Sequence, residues 1–374
     1  MAADNRAAKS TNDAEETITV VADGAQQSAT SGYQPLNSAT ATLTSMPLLD
    51  IPQVVNTVSD RVLEDQHATS LDEALYNVAN VVQTNTLGGT QDAFTRRGFG
   101  ANRDGSIMTN GLRTVLPRSF NATERVEVLK GPASTLYGIL DPGGLINVIT
   151  KRPERQFSGS VSGTSTSFGG GTGSVDITGP IEGTNLAYRL IGEYQNEDYW
   201  RNFGKNKSSF IAPSLTWFGE RATVTASYSH RDYSAPFDRG TIFDLNTGHA
   251  VNVDRKTRFD EAFNITDGYS DLAQLNAEYR LNDAWTARFD YSYSQDHYND
   301  NQARVMAYDS ATGNLTRRVD GTHGSTQKMH STRADLQGNV VVGGLYNELL
   351  TGVAYENYDL LRTDMLGCKN VKGF

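Results

Sequence analysis

Between positions 94 and 120 the chain is dense in groups that bind oxygen-rich ligands: Arg96, Arg97, Arg103, Arg113 and Arg118, interleaved with Phe94, Phe99 and Phe120. A guanidinium offers a planar fork of donors to anionic oxygens, and an aromatic face packs against a compact ligand. That is recognition chemistry rather than turnover. The six histidines, at 67, 230, 249, 297, 323 and 330, are scattered, and no Ser/His/Asp set or His-Glu-x-x-His pattern accompanies them. No second His or Cys stands near His67, so it reads as a polar linker residue. The expectation is a protein that is not an enzyme, binds no metal directly and holds no cofactor of its own.

The elements that position this region are short. Ile107-Met108, Val126 to Leu129 and Ile146 to Ile149 are β-type runs, punctuated by glycines at 98, 100, 105, 111, 131, 138, 143 and 144. Glycine supplies the tight connections that a small mixed sheet needs. These glycines do not make a nucleotide site. Gly98-Phe99-Gly100 lacks the third glycine of a dinucleotide fingerprint, and Lys130-Gly131-Pro132 lacks P-loop spacing.

Several blocks here resemble, in order and spacing, the TonB-dependent outer-membrane receptors of Gram-negative bacteria. They are Arg97-Gly98-Phe99, Asn110-Gly111, Glu124 to Val128, Lys130-Gly131-Pro132, Leu136-Tyr137-Gly138 and Gly143 to Pro153. The resemblance implies a globular plug inside a transmembrane β-barrel, in the cell outer membrane and in contact with its lipid. It implies import of an iron(III)–siderophore complex, with a TonB-type periplasmic protein as energy transducer. The Gly143-to-Pro153 block is most similar to hydroxamate receptors of the ferrioxamine and ferrichrome type. The catecholate class stays open, because its ligands also favour Arg-rich apices, and a secondary role as a phage or bacteriocin receptor belongs to the same picture. The segment between Gly111 and Glu124 is shorter than in ferrichrome-type receptors.

Carried onto these residues, the resemblance places ligand contacts at the plug apex, on Asn102, Arg103, Arg118, Ser119 and Phe120. Arg97, Glu124, Arg125 and Glu127 are expected to form ion pairs that fix the plug in the barrel. Residues 1–45 have the composition of a disordered segment. Within it, residues 15–22 are a short β-forming run in which Glu16, Thr17, Ile18, Thr19, Val20 and Val21 look like a TonB box, pairing with the transducer as an added strand.

Residues 46–155 then form the plug. Val54 to Val58 reads as a strand, Ser59 to Asp65 as a short helix, and Ser70-Leu71-Asp72-Glu73 as a capping box with Leu71, Leu75 and Val78 on one helix face.

Residues 156–374 change period. Leu186, Tyr188, Leu190, Gly192 and Tyr194 alternate with polar neighbours, as do Ala222 to Tyr228, Ala273 to Leu281, Trp285 to Tyr293 and Ala334 to Val340. Strict alternation of this kind is the strand signature. Links alternate too: Gly179–Asn185, Gly219-Glu220, Asn282-Asp283 and Gly343-Gly344 are tight, whereas Tyr199–Lys205, Tyr233–Tyr269 and Tyr298–Thr326 read as long loops. Short turns at one end and long loops at the other belong to outer-membrane barrels.

The fold expected is therefore an α+β plug followed by antiparallel transmembrane β-barrel strands, about nine of the roughly 22 that plugged transporters have. The barrel is incomplete on this count, which points to the N-terminal part of a longer receptor or to a truncated product that transports nothing.

Composition agrees. Mean hydropathy is -0.48, and no apolar run is long enough for a membrane helix, whereas barrel strands average to polar composition. The net charge of -10 argues against a nucleic-acid partner. The single Cys368 leaves no internal disulfide. The start has no apolar signal core, so either a signal peptide was removed or export does not happen.

Overall fold

The computed structural model describes residues 33, 35–85, 93–100, 106–115, 120–361 and 363. An N-terminal strap pairs β1 (Asn37–Ser38) with β2 (Met46–Pro47). It leads through β3 (Val54–Val58), α1 (Asp60–Asp65) and α2 (Leu71–Leu75) to a hairpin of β4 (Val81–Asn85) and β5 (Ala93–Arg96). The unit is completed by β6 (Ile107–Thr109), β7 (Leu112–Arg113), β8 (Thr123–Lys130), α3 (Ser134–Tyr137) and β9 (Gly144–Thr150). Five of these strands form a sheet in the order β3-β8-β9-β6-β7, antiparallel except for β6 beside β9.

The central strands β8 and β9 are buried almost throughout, because both faces of the sheet are covered. Val126, Val128, Ile146 and Val148 pack beneath the helices, against Leu63, Leu71, Ala74, Leu75 and Val78. On the other face Leu129 and Leu145 meet Ala41 and Ile51 of the strap region and Tyr137 of α3. Ser59 caps α1 by accepting the amide of Val62, and Ser70 caps α2 by accepting the amide of Glu73 at 3.3 Å. The capping box closes one residue early: the Glu73 carboxylate takes the amide and hydroxyl of Thr69, at 2.7 and 2.8 Å, rather than the amide of Ser70.

The second sheet has nine antiparallel strands in sequence order. They are β10 (Ser158–Ser165), β11 (Gly170–Ile181), β12 (Leu186–Asp198), β13 (Lys205–Phe218), β14 (Ala222–Pro236), β15 (Ile265–Arg280), β16 (Trp285–Asp309), β17 (Asn314–Val342) and β18 (Leu345–Leu361). Alternation sorts their side chains. Leu190, Ile211, Leu215, Trp217, Tyr228, Leu275, Tyr279 and Phe289 lie exposed on the outer face, while Ala187, Ile191, Thr225, Gln274, Ser292, Ser294 and Ser331 are buried on the inner one.

Connections at one end are short, at 182–185, 219–221, 281–284 and 343–344; the other end carries 199–204 and the long loop 237–264. One expected loop is a strand pair instead. Between Tyr298 and Thr326, β16 and β17 continue as a tall hairpin closed by residues 310–313, with register irregularities at Tyr298/Asp300 and Val305/Ala307. Loop 237–264 packs on this extension and supports it: Asn264 accepts the amide of Ala303 at 2.7 Å, and the amide of Leu245 reaches the carbonyl of Tyr308 at 2.9 Å.

At the short-turn end the Trp285 indole occupies the space opposite Gly338, where a Cβ would come within 2.2 Å of the ring. Among the described residues no helix is long and apolar enough to cross a membrane, which says nothing of strands.

Candidate functional site

The plug meets the wall through a polar seam. At its centre is the turn between β6 and β7, where Asn110 and Gly111 both have positive φ, 53° and 74°. Two such residues are the requirement of a tight hairpin turn whose twist matches its strands, and Asn-Gly meets it at least steric cost. The turn presses on the inner face of β15 to β17. Asn110 Nδ2 donates to Gln274 Oε1 at 2.7 Å and to Thr150 Oγ1 at 2.8 Å, while Gln274 Nε2 donates to the Thr109 carbonyl at 3.3 Å.

Along the same hairpin the Val115 amide donates to Ser294 Oγ at 2.9 Å, and Ser331 Oγ donates to the Arg113 carbonyl at 2.7 Å. Arg113 also faces Glu356 of β18 at 3.3 Å. Where the chain leaves the plug, Lys151 and Arg189 share Asp176, at 3.0 and 2.7 Å, and Arg189 also donates to the Arg152 carbonyl.

Beside this seam runs a buried charge chain on the strap face of the plug sheet. Arg125 lies 2.7 Å from Glu124 and 2.8 Å from Glu127. Glu127 Oε2 accepts the hydroxyls of Ser38 and Thr40, Asn147 donates to the Thr40 hydroxyl at 2.9 Å, and Tyr137 donates to the Thr40 carbonyl at 2.8 Å. This corrects the expectation for Glu124, Arg125 and Glu127. They pair with one another and with the strap, not across to the wall, because positions 125 and 127 of one strand share a face that the strap covers.

Arg97 is exposed in a left-handed turn after β5, at φ 52°, with its amide on the Asn80 carbonyl. Wall pairs lie opposite: Arg333 with Asp290 at 2.8 Å, and Arg288 with Asp335. A cavity of about 80 Å³ lies between the two sets, lined by Thr40, Asn110, Arg125 and Arg152 on the plug side and by Asp290 and Arg333 on the wall. Burial raises the Glu124 carboxyl against the pull of Arg125 and Arg152, and burial lowers Arg152 despite Asp290 and Glu124.

Towards the long-loop end the inner face carries Glu193, Arg231, Tyr233 and Asp296, with Tyr233 donating to Asp296 at 3.2 Å and Asn121 of the plug donating to Glu193. Sequence reading missed these four. Their parity with the plug-facing positions, carried up each strand, is the signal that would have found them.

The loops above are tied together. Arg201 grips both oxygens of Asp238 at 2.9 Å, Arg258 pairs with Asp260 at 2.6 Å and donates to the Phe203 carbonyl at 2.8 Å. Asp244 accepts the Ser310 hydroxyl at 2.7 Å and the Ser310 amide at 3.0 Å, and with further donors from Thr247 and Asn246 its carboxyl is held down at about 2.

Of the residues expected to touch ligand, Asn102, Arg103, Arg118 and Ser119 lie outside the described residues, as do Glu16 to Val21. Phe120 is described: it is partly buried and packs against the plug core cluster. Among the described residues no group of three or more His, Cys, Asp or Glu is arranged to hold a metal ion.

Residues 47–145 match the model of the TonB-dependent Receptor Plug Domain. The chain is 30% identical over 350 residues to the metal-pseudopaline receptor CntO of Pseudomonas aeruginosa, a match covering 92% of this chain and 49% of that protein. It is 27% identical over 340 residues to the ferrioxamine B receptor of Salmonella typhimurium, covering 85% and 47%. The open-form crystal structure of the ferric-catecholate import receptor Fiu from Escherichia coli K12 aligns with a TM-score of 0.75 at 25% identity, over 86% of this chain and 52% of that one.

The chain spans about half the length of the curated relatives it matches. Those relatives are transport receptors, not enzymes. By residues 47–145 the chain carries a TonB-dependent receptor plug domain, and with its strands it is similar to receptors of that family.

Proposed function

We propose that this chain is the plug and adjoining barrel strands of an outer-membrane receptor that imports a metal–siderophore chelate, energised by a TonB-type periplasmic partner. Residues 1–45 carry the partner's docking strand at Glu16 to Val21, residues 46–155 form the plug and residues 156–374 the N-terminal part of the barrel. Closure needs further strands, because an open sheet edge in lipid leaves backbone groups unsatisfied.

The observation that carries this reading is the polarity of the two faces of the wall: apolar outside, and inside a set of side-chain hydrogen bonds to a separately folded plug. A plug held by exchangeable polar contacts is one that a pull from its N-terminal side can displace. Ligand is held between the apex residues Asn102, Arg103, Arg118 and Ser119 and the inner-wall groups Glu193, Arg231, Tyr233 and Asp296.

The chelate is a ferric hydroxamate on the likeness of the Gly143-to-Pro153 block and the relative named for ferrioxamine B. The likeness to Fiu supports a ferric catecholate as the second reading. Siderophore-deficient cells exporting the chain fused to the closing barrel strands of a relative, offered labelled iron as each chelate in parallel, test it. The expected result is uptake of one chelate, abolished by Val20→Pro. Uptake of neither, in cells where the strands are inserted and protease-protected, would overturn the transport reading.

A further inference from the structure

We infer that the outer rim of the wall carries a binding site for the phosphate groups of an outer-leaflet glycolipid, in a cleft between loop 199–204, loop 237–264 and the tops of β13 and β14. The inference rests on the membrane placement proposed above. The cleft has a volume of about 760 Å³, and its lining includes Phe168, Trp200, Lys205, Lys207 and Lys256.

The ladder register fixes which way it faces. Lys205 and Lys207 share parity with Ile211, Leu215 and Trp217, which lie on the exposed apolar face, and opposite parity to Ser214, whose partner Ser227 pairs in turn with the plug-contacting Gln274. The cleft therefore opens outward.

The register also fixes its height. Outward-facing rows run Trp217-Val224-Ala277-Phe289, then Leu215-Ala226-Leu275-Tyr291, then Tyr228-Ala273-Tyr293. The next row, Ile211-His230-Asp271-Gln295-Lys328, is where charge first appears. Lys207 stands four residues beyond that boundary, about 13 Å along the strand and less in height once the strand is tilted, within reach of a lipid headgroup.

Charge and shape agree on the occupant. Lys205 is paired with Asp198 at 2.8 Å, and Asp267, across from Ser234 and outside the lining, accepts from Asn299 at 3.2 Å and keeps its charge. Lys207 and Lys256 have no ion-pair partner among the described residues, so the cleft is net cationic. Its floor is rigid: Arg201 is locked on Asp238 and lies over the Trp200 ring, and Arg258 lies 4.3 Å from the Phe203 ring. Half-exposed Trp200 and Phe168 beside free ammonium groups, just above an apolar band, suit a lipid with phosphate on its sugar and acyl chains below.

The test follows the difference in tryptophan emission between the full chain and its Trp200→Phe variant in detergent micelles titrated with diphosphorylated lipid A, dephosphorylated lipid A and inorganic phosphate. The diphosphorylated lipid should bind about tenfold or more tightly than its dephosphorylated form. Lys207→Gln/Lys256→Gln should erase that difference, and Lys207→Arg/Lys256→Arg should keep it with unchanged circular dichroism.

Equal binding of the two lipids, or discrimination surviving the Gln pair, would overturn the inference. Displacement by inorganic phosphate at comparable concentration would overturn the lipid source. A chain whose strands never insert, shown by cleavage throughout the wall, would instead sink the membrane reading on which this one rests.

Discussion

The plug and the wall solve the burial problem in opposite directions. The plug turns its apolar residues inward, with Val126, Val128, Ile146 and Val148 under two helices, and so is a small globular domain in its own right. The wall turns its apolar residues outward and its serines, glutamine and ion pairs inward. Where the two meet, the contacts that join them are side-chain hydrogen bonds, beside a few buried apolar residues such as Ile191. The difference teaches that plug and wall are joined by geometry and hydrogen bonds of modest net strength, so one can move without unmaking the other.

The largest break in that contrast should come from Glu127→Ala. It leaves Arg125 buried with half its partners and removes the acceptor for both strap hydroxyls, at a cost of about 4 kcal/mol to the plug. Hydrogen exchange should show β8 and the strap losing protection while β12 to β15 keep theirs.

Leu275→Arg inverts the test on the wall. On the outer apolar face it should cost about 2–3 kcal/mol in a bilayer, read as the shift in urea midpoint for strand unfolding in vesicles, and leave plug protection unchanged.

Gln274→Ala acts on the join. It removes the bridge to Asn110 and Thr109 and should loosen the β6–β7 hairpin by about 1 kcal/mol, visible as faster exchange of the Gly111 and Val115 amides with both melting midpoints intact.

The smallest effect belongs to the loops. The folded-state value for Asp244, about 2, lies below the ordinary 3.8, so its contribution is full above the ordinary value and fades as pH falls through about 2. Peptic cleavage within 240–250 should rise across that window. Asp244→Asn should cleave readily throughout and show no such pH step.

Much of this was legible from spacing. Alternation at Leu186 to Tyr194 and Trp285 to Tyr293 gave the strands and their faces, and Asn110-Gly111 marked a turn whose positive φ values only a short list of residues tolerates. The partners of Glu127 were not legible. Its hydroxyl donors lie 87 and 89 positions away on a strap with no periodic signal, so a charged residue in a motif block could as well have faced the wall.

The hairpin above Tyr298 was missed for a related reason. Its polar strand tops are held by packing against loop 237–264, a tertiary effect that local pattern does not carry. Phe120 packs partly buried against the core cluster, a contact that no local pattern marks.

The close fit of Trp285 over Gly338 has an optical consequence. That indole is pinned at the short-turn end, Trp217 faces outward near the same end, and Trp200 sits at the opposite rim. With only three tryptophans in the chain, ultraviolet emission comes from two groups of emitters at opposite ends of the wall. Lipids brominated at successive acyl carbons should dim the two groups at different depths. The three tryptophans thus form a built-in ruler for testing the proposed seating in a bilayer, one that needs no label.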